Sequence, residues 1–134
     1  MNAALALQKA MRDALLAHAP LTTLLGGQHI YDEPPRGEPP SHVVFDFIET
    51  RDWGVKDQMA HEHFVSLEIM TNERGRTLAQ SIANEIETAL HDVALTLVAH
   101  KLVNLRMVFW SVARAKSGKT FSATMRFRAA TEPV

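Results

Sequence analysis

Residues 101–131 read KLVNLRMVFWSVARAKSGKTFSATMRFRAAT, and the alternation inside this stretch decides the fold. Val103, Leu105, Met107 and Phe109 fall at every second position, as do Phe121, Ala123, Met125 and Phe127. A period of two belongs to a strand with one buried face, so the stretch reads as a β-hairpin. Both apolar rows face the core only if opposed residues share parity. A two-residue Ser117-Gly118 turn would oppose Lys116 to Lys119 and break that rule. A three-residue loop, Lys116-Ser117-Gly118, opposes Ala115 to Lys119 and puts glycine where a left-handed residue is needed.

The same register sets Arg106 opposite Arg128 on the outer face, with Trp110, Arg114 and Arg126 nearby. Directly opposed like charges destabilise a sheet, so acids are expected within reach. The ordinary source is the neighbouring strand, through Glu62 and Glu68, or Asp46; the other is a subunit or partner covering this face. The hairpin stretch holds seven Lys or Arg and no acid, whereas residues 1–100 hold seven basic and fourteen acidic side chains, so a net charge of -1 conceals a basic element on an acidic body.

Before that stretch, the chain supplies what a hairpin needs to pack against. Ala4, Leu7, Ala10, Met11, Ala14 and Leu15 recur at helical steps and predict an amphipathic helix over residues 2–18. Pro20 opens a second short turn through Leu24, which Gly26-Gly27 ends. Residues 28–41, QHIYDEPPRGEPPS, carry four of the six prolines and predict an extended surface loop whose start Ile30 and Tyr31 pin. A docking motif for Pro-binding domains is the alternative there, but a plain connector needs no ligand.

Residues 42–49 predict a strand with Val43, Phe45 and Phe47 one way and Val44, Asp46 and Ile48 the other. Residues 51–60 form a polar connection in which Trp53 either folds back over the core or anchors an interface. Residues 61–70 predict a second strand, with Val65, Leu67 and Ile69 inward. Thr71-Asn72 caps a helix over residues 73–91, whose stripe is Leu78, Ile82, Ile86, Ala89 and Leu90. The fold class is α+β: a single domain over residues 1–134, with an about four-stranded, mainly antiparallel sheet and two main helices packed on one face.

The composition, 46% hydrophobic and 22% charged, excludes a disordered, collagenous or membrane class. No cysteine is present, which removes disulfides, thiolate zinc sites and cysteine nucleophiles. Lys9, Arg12 and Asp13 interrupt the apolar N-terminal stretch, which reads as the helix of a mature cytoplasmic product; no apolar run approaches the roughly 20 residues of a membrane span.

Catalytic motifs fail on spacing or context. His61 and His63 share a strand face and could ligate one ion, but they point with Val65 and Leu67 and no third ligand is placed. Ser117-Gly118-Lys119-Thr120 resembles the end of a P-loop, yet Ala113 stands where its first glycine belongs and a strand follows instead of a helix. There is no G-x-S-x-G elbow. A basic hairpin with Trp110 could meet nucleic acid, although sequence-reading domains usually carry a larger positive charge. No catalytic, cofactor or metal residue is assigned. The candidate interface set is Arg106, Trp110, Arg114, Arg126, Arg128 and Trp53.

Several segments together resemble the tail completion, or tail terminator, family of long-tailed (siphophage-type) bacteriophages and gene transfer agents. They are ALQKAMRDALLAHAPLTTLLGGQHIYDEPP (6–35), DWGVKD (52–57), GRTLAQSIANEIETALHD (75–92), LTLVAHKLVNLRM (95–107) and MRFRAATEP (125–133). The resemblance implies a structural virion protein with no cofactor and no catalysis. It implies a homohexameric ring that caps the head-proximal end of the tail tube, stops its polymerisation and presents the head-tail joining surface. The implied partners are further copies of the chain, the tail tube protein and the head-tail connector or stopper protein, with DNA passing through unread and no membrane. The implied location is the head-tail neck of a virion or gene transfer agent particle, assembled in the bacterial host cytoplasm. The alternatives are another neck protein, such as a head-completion or stopper subunit, or a small enzyme or nuclease with a carboxylate-histidine site.

Overall fold

The Asn2 side chain accepts the Leu5 amide at 2.7 Å and so caps α1 (Ala3–Ala17) in the computed structural model, which describes residues 2–37, 39–72, 76–114 and 120–134. Leu7, Met11 and Leu15 are fully buried along the predicted stripe, with Ala10 and Ala14 at its margin. After His18 the chain turns into α2 (Ala19–Leu25), with Pro20 in its first turn. Gly26, at φ 76°, closes α2 in the left-handed conformation that the glycine pair predicted.

The sheet has six strands where the pattern predicts about four. β1 (Ile30–Tyr31), β2 (His42–Asp52), β3 (His61–Met70), β4 (Thr96–Leu97), β5 (His100–Arg114) and β6 (Phe121–Pro133) stand in the order β1-β2-β3-β6-β5-β4. The four long strands are antiparallel throughout, as expected. The additions are two-residue strands at the margins: β1 runs parallel to β2, making the sheet mixed, and β4 folds onto the start of β5. Two residues carry no readable period, so Ile30-Tyr31 reads as a loop anchor and nothing in the pattern marks Thr96-Leu97 as a strand.

α3 (Arg76–Leu90) packs with α1 on one face of this sheet and buries Ile82, Ile86 and Leu90 against Leu67, Phe127 and Leu105. Each such side chain, taken fully out of water, contributes about 2 kcal/mol. The expected α3 cap lies partly outside the described residues. Within them, the Thr71 hydroxyl donates to the Phe121 carbonyl at 3.0 Å, and the Asn72 amide donates to Ser41 Oγ at 3.0 Å. The three-residue loop expected at Lys116-Ser117-Gly118 also lies outside the described residues, but the like-parity register expected from it does not hold beside it, where Arg114 opposes Phe121.

Two strands depart from strict alternation, and this repositions the candidate residues. The β2–β3 pairing steps between Phe45 and Phe47, and the β5–β6 pairing steps between Leu102 and Asn104 and again between Met107 and Phe109. Each β-bulge adds a residue on one strand and inverts the parity beyond it. Phe47 therefore faces solvent and Ile48 takes the core side, the reverse of the prediction. On β5, Leu105 is buried and Met107 partly so, but Val103 and Phe109 are each 46% exposed.

Candidate interaction surface

The helices pack on one face of the sheet, and arginines and aromatic rings occupy the other. Arg106 and Arg128 stand directly opposed, as the hairpin register requires. Arg128 Nε donates to Glu62 Oε2 at 2.7 Å, Nη1 reaches Asn104 Oδ1 at 3.4 Å, and the guanidinium lies 5.1 Å from the centre of the Trp53 ring. Arg106 Nε is 3.7 Å from Asp92 Oδ1. Both arginines thus find acids in their own chain. Glu62, on the neighbouring strand, was expected; Asp92, at the corner after α3, was not, because only folding brings that corner to β5.

Arginine over ring recurs across this face. Arg126 lies 5.2 Å from the centre of the Phe109 ring that opposes it, and Arg51 lies 5.5 Å from Phe64 while donating to Glu49 Oε1 at 2.6 Å. Such contacts hold flat cations over flat rings and leave both partly open to a further surface. Trp53 resolves its two readings in a third way: it folds back on the outer face over Arg128 and remains 47% exposed.

Trp110 and Arg114 do not join that face. Beyond the bulge at Val108, Trp110 opposes Met125 and Arg114 opposes Phe121, both on the helix side of the sheet. Trp110 lines a half-open cleft of about 330 Å3 with Gln80, Ala83, Asn84, Glu87 and Met125. Arg114 and Arg76 flank the Phe121 ring at 5.7 and 5.0 Å. The candidate set therefore divides into Arg106, Arg126, Arg128 and Trp53 on the open face, and Trp110 and Arg114 on the other, because one extra residue in β5 turns its end over.

His63 is fully buried between two hydroxyls, Thr50 Oγ1 at 2.9 Å and Thr131 Oγ1 at 2.8 Å, so both ring nitrogens are occupied. Burial, then the proximity of His61 and His100, lowers its pKa from 6.5 to about 4, leaving it neutral near pH 7. Its hydrogen-bonding role is that of a core histidine. Among the described residues, no three His, Asp or Glu side chains converge as metal ligands.

The profile of the family described as tail completion protein gp17 matches residues 9–132. The chain belongs to that family. Among solved structures, this tail completion protein is similar to a chain from the virion of a native gene transfer agent particle, with a TM-score of 0.88 and 26% identity over 98% of this chain and 99% of that one. It also shares its fold with the gp17 protein of bacteriophage SPP1, at a TM-score of 0.63 and 20% identity over 95% and 89% of the two chains. Among curated protein sequences, none matches the chain. As a tail completion protein it is a structural protein of the phage or gene transfer agent type, and its surfaces are to be read as surfaces for assembly.

Proposed function

We propose that the protein is a tail terminator: a homohexameric ring at the head-proximal end of the tail tube that stops tube polymerisation and presents the surface to which the head connector docks. The observation that carries this reading is the end-to-end match to a chain of an assembled gene transfer agent virion, in which neither chain has more than a small remainder unmatched.

The sheet supports the same reading. One face is closed by helices and the other carries exposed rings and paired arginines, which suits contact with a neighbouring subunit or with the passage that DNA crosses. The role is structural, and DNA passes without sequence being read. Light scattering after size-exclusion chromatography tests it: the expected particle has six times the mass of the 14.9 kDa chain and appears as a ring in negative stain. A chain that stays monomeric at high concentration, and also fails to form rings when purified tail tubes are added, contradicts it.

A further inference from the structure

The sheet carries two unpaired strand edges, one at each side. Among the described residues, β1 pairs only with Val43 and Val44 and nothing else pairs on that side of β2, so β2 is open over residues 46–52, DFIETRD. On the far side the chain covers its own β5 edge and then stops. β4 pairs with His100 and Lys101, the Asp92 amide donates to the Leu105 carbonyl at 2.8 Å, and the Met107 amide donates to His91 Nδ1 at 3.0 Å. Past Met107, among the described residues, no backbone hydrogen bond reaches β5 from its outer side, and residues 108–114, VFWSVAR, are left open.

An open edge of this length is unusual unless it is defended. Natural edges are kept short, charged or interrupted by proline, because unpaired amides and carbonyls recruit another strand. Residues 108–114 hold one charge, Arg114, and three large apolar side chains, Val108, Phe109 and Trp110, that are 53%, 46% and 42% exposed. Such an edge calls for a covering strand.

We infer that the open β5 edge of one copy pairs with the open β2 edge of the next, so that the sheets of neighbouring copies join across their edges. This rests on the ring reading above. Three features favour a second copy as the occupant. First, the strand directions fit: β2, β3, β6 and β5 alternate strictly, so β2 and β5 run oppositely, and a copy rotated about an axis to which the strands are tilted, but not perpendicular, brings its β2 antiparallel to β5. Second, the charges fit: residues 46–52 hold three acids and one base, whereas residues 108–114 hold one base and no acid. Third, bulges turn Phe47 and Phe109 onto the same uncovered face, one at each edge, each nearly half exposed, where the seam would cover both.

The levels of the two edges also suit a closed assembly. Followed through the pairs, Phe47 is level with Phe109 and Asp52 with Leu102, so the open part of β5 reaches further toward the β1 end than the open part of β2. Joining them shifts each copy along the strand direction, the stagger that any closed sheet requires.

The absence of native cysteine makes the test direct. Glu49→Cys and Ser111→Cys place single exposed thiols on the two edges. Treated with a short bis-maleimide, the double variant is expected to give a ladder of covalent multimers, an equimolar mixture of the single variants a covalent dimer, and each single variant alone none. A particle of oligomeric mass without these cross-links overturns the edge pairing and leaves the ring standing. A monomeric mass without cross-links, alone and with tail tubes added, removes both. Cross-links to a different protein in assembled particles, with none between copies, also overturn the inference.

Discussion

Acid should weaken this fold through one residue. His63 is buried, neutral and held by Thr50 and Thr131, with its pKa lowered from 6.5 to about 4. In the unfolded chain the imidazole takes up its proton near pH 6.5, whereas in the folded chain it does so only near pH 4. The unfolded state therefore binds more protons between those values, and stability falls as pH falls across them. The loss is about 1.4 kcal/mol by pH 5.5 and about 3 kcal/mol by pH 4, after which it levels off. The assay is urea denaturation of the wild type and of His63→Gln at a series of pH values, because their difference cancels the contributions of the groups that both share. The difference should narrow by that amount between pH 7 and pH 4. Parallel stability curves for the two proteins, or a His63 ring that titrates near 6.5 by NMR in the folded state, would refute the reasoning.

The bulges make a second prediction, since strict alternation would bury Val103 and Leu105 alike. Leu105→Ala should cost about 2–5 kcal/mol in urea unfolding and Val103→Ala less than about 1 kcal/mol, because only Leu105 is enclosed. Glu62→Gln should cost about 1–2 kcal/mol by removing the charged acceptor of the partly buried Arg128, while Glu49→Gln at the more exposed Arg51 pair should cost no more than about 0.5 kcal/mol in the same assay. Gly26→Ala forces a side chain into the left-handed region at φ 76° with no neighbour within 4 Å, so its cost of about 1 kcal/mol in thermal or urea unfolding is conformational and not steric.

How much of this was legible in the sequence depends on how long each periodic signal runs. α1, α3 and the four long strands each present several turns or alternations, and all six were readable. The expected pairing of Arg106 with Arg128 is met although the register next to the loop is one residue off the expected one, with Arg114 opposite Phe121, because the step at Val108 restores it before Arg106. Trp110 and Arg114 went to the wrong face for the same reason. Residues 107–110 read Met-Val-Phe-Trp, an unbroken apolar run compatible with either parity, so the insertion of one residue leaves no mark in the pattern. Val-Val-Phe-Asp-Phe-Ile in β2 has the same ambiguity, and there Phe47 and Ile48 exchange faces. Such runs are where a bulge can be suspected, although the pattern does not say at which residue it falls.

Asp92 and Trp53 illustrate a different limit. Both act on the arginine face across distances in sequence that no local pattern spans, Asp92 through the corner after α3 and Trp53 through the bend after β2. The family resemblance was readable from the order of ordinary segments along the chain, and the profile match over residues 9–132 places the chain in that family. The surface by which such a chain meets other tail or neck proteins is not marked by any motif, because an assembly surface is defined by geometry and not by a chemical signature.

The tail terminator reading is tested most directly by cryo-electron microscopy of assembled particles that carry this chain. The expected result is a six-fold ring of this chain between the head connector and the last ring of the tail tube, with tubes of uncontrolled length and unjoined heads when the chain is absent. Density for this chain at the tail tip, along the tube or inside the head, or normal joining in its absence, would contradict it.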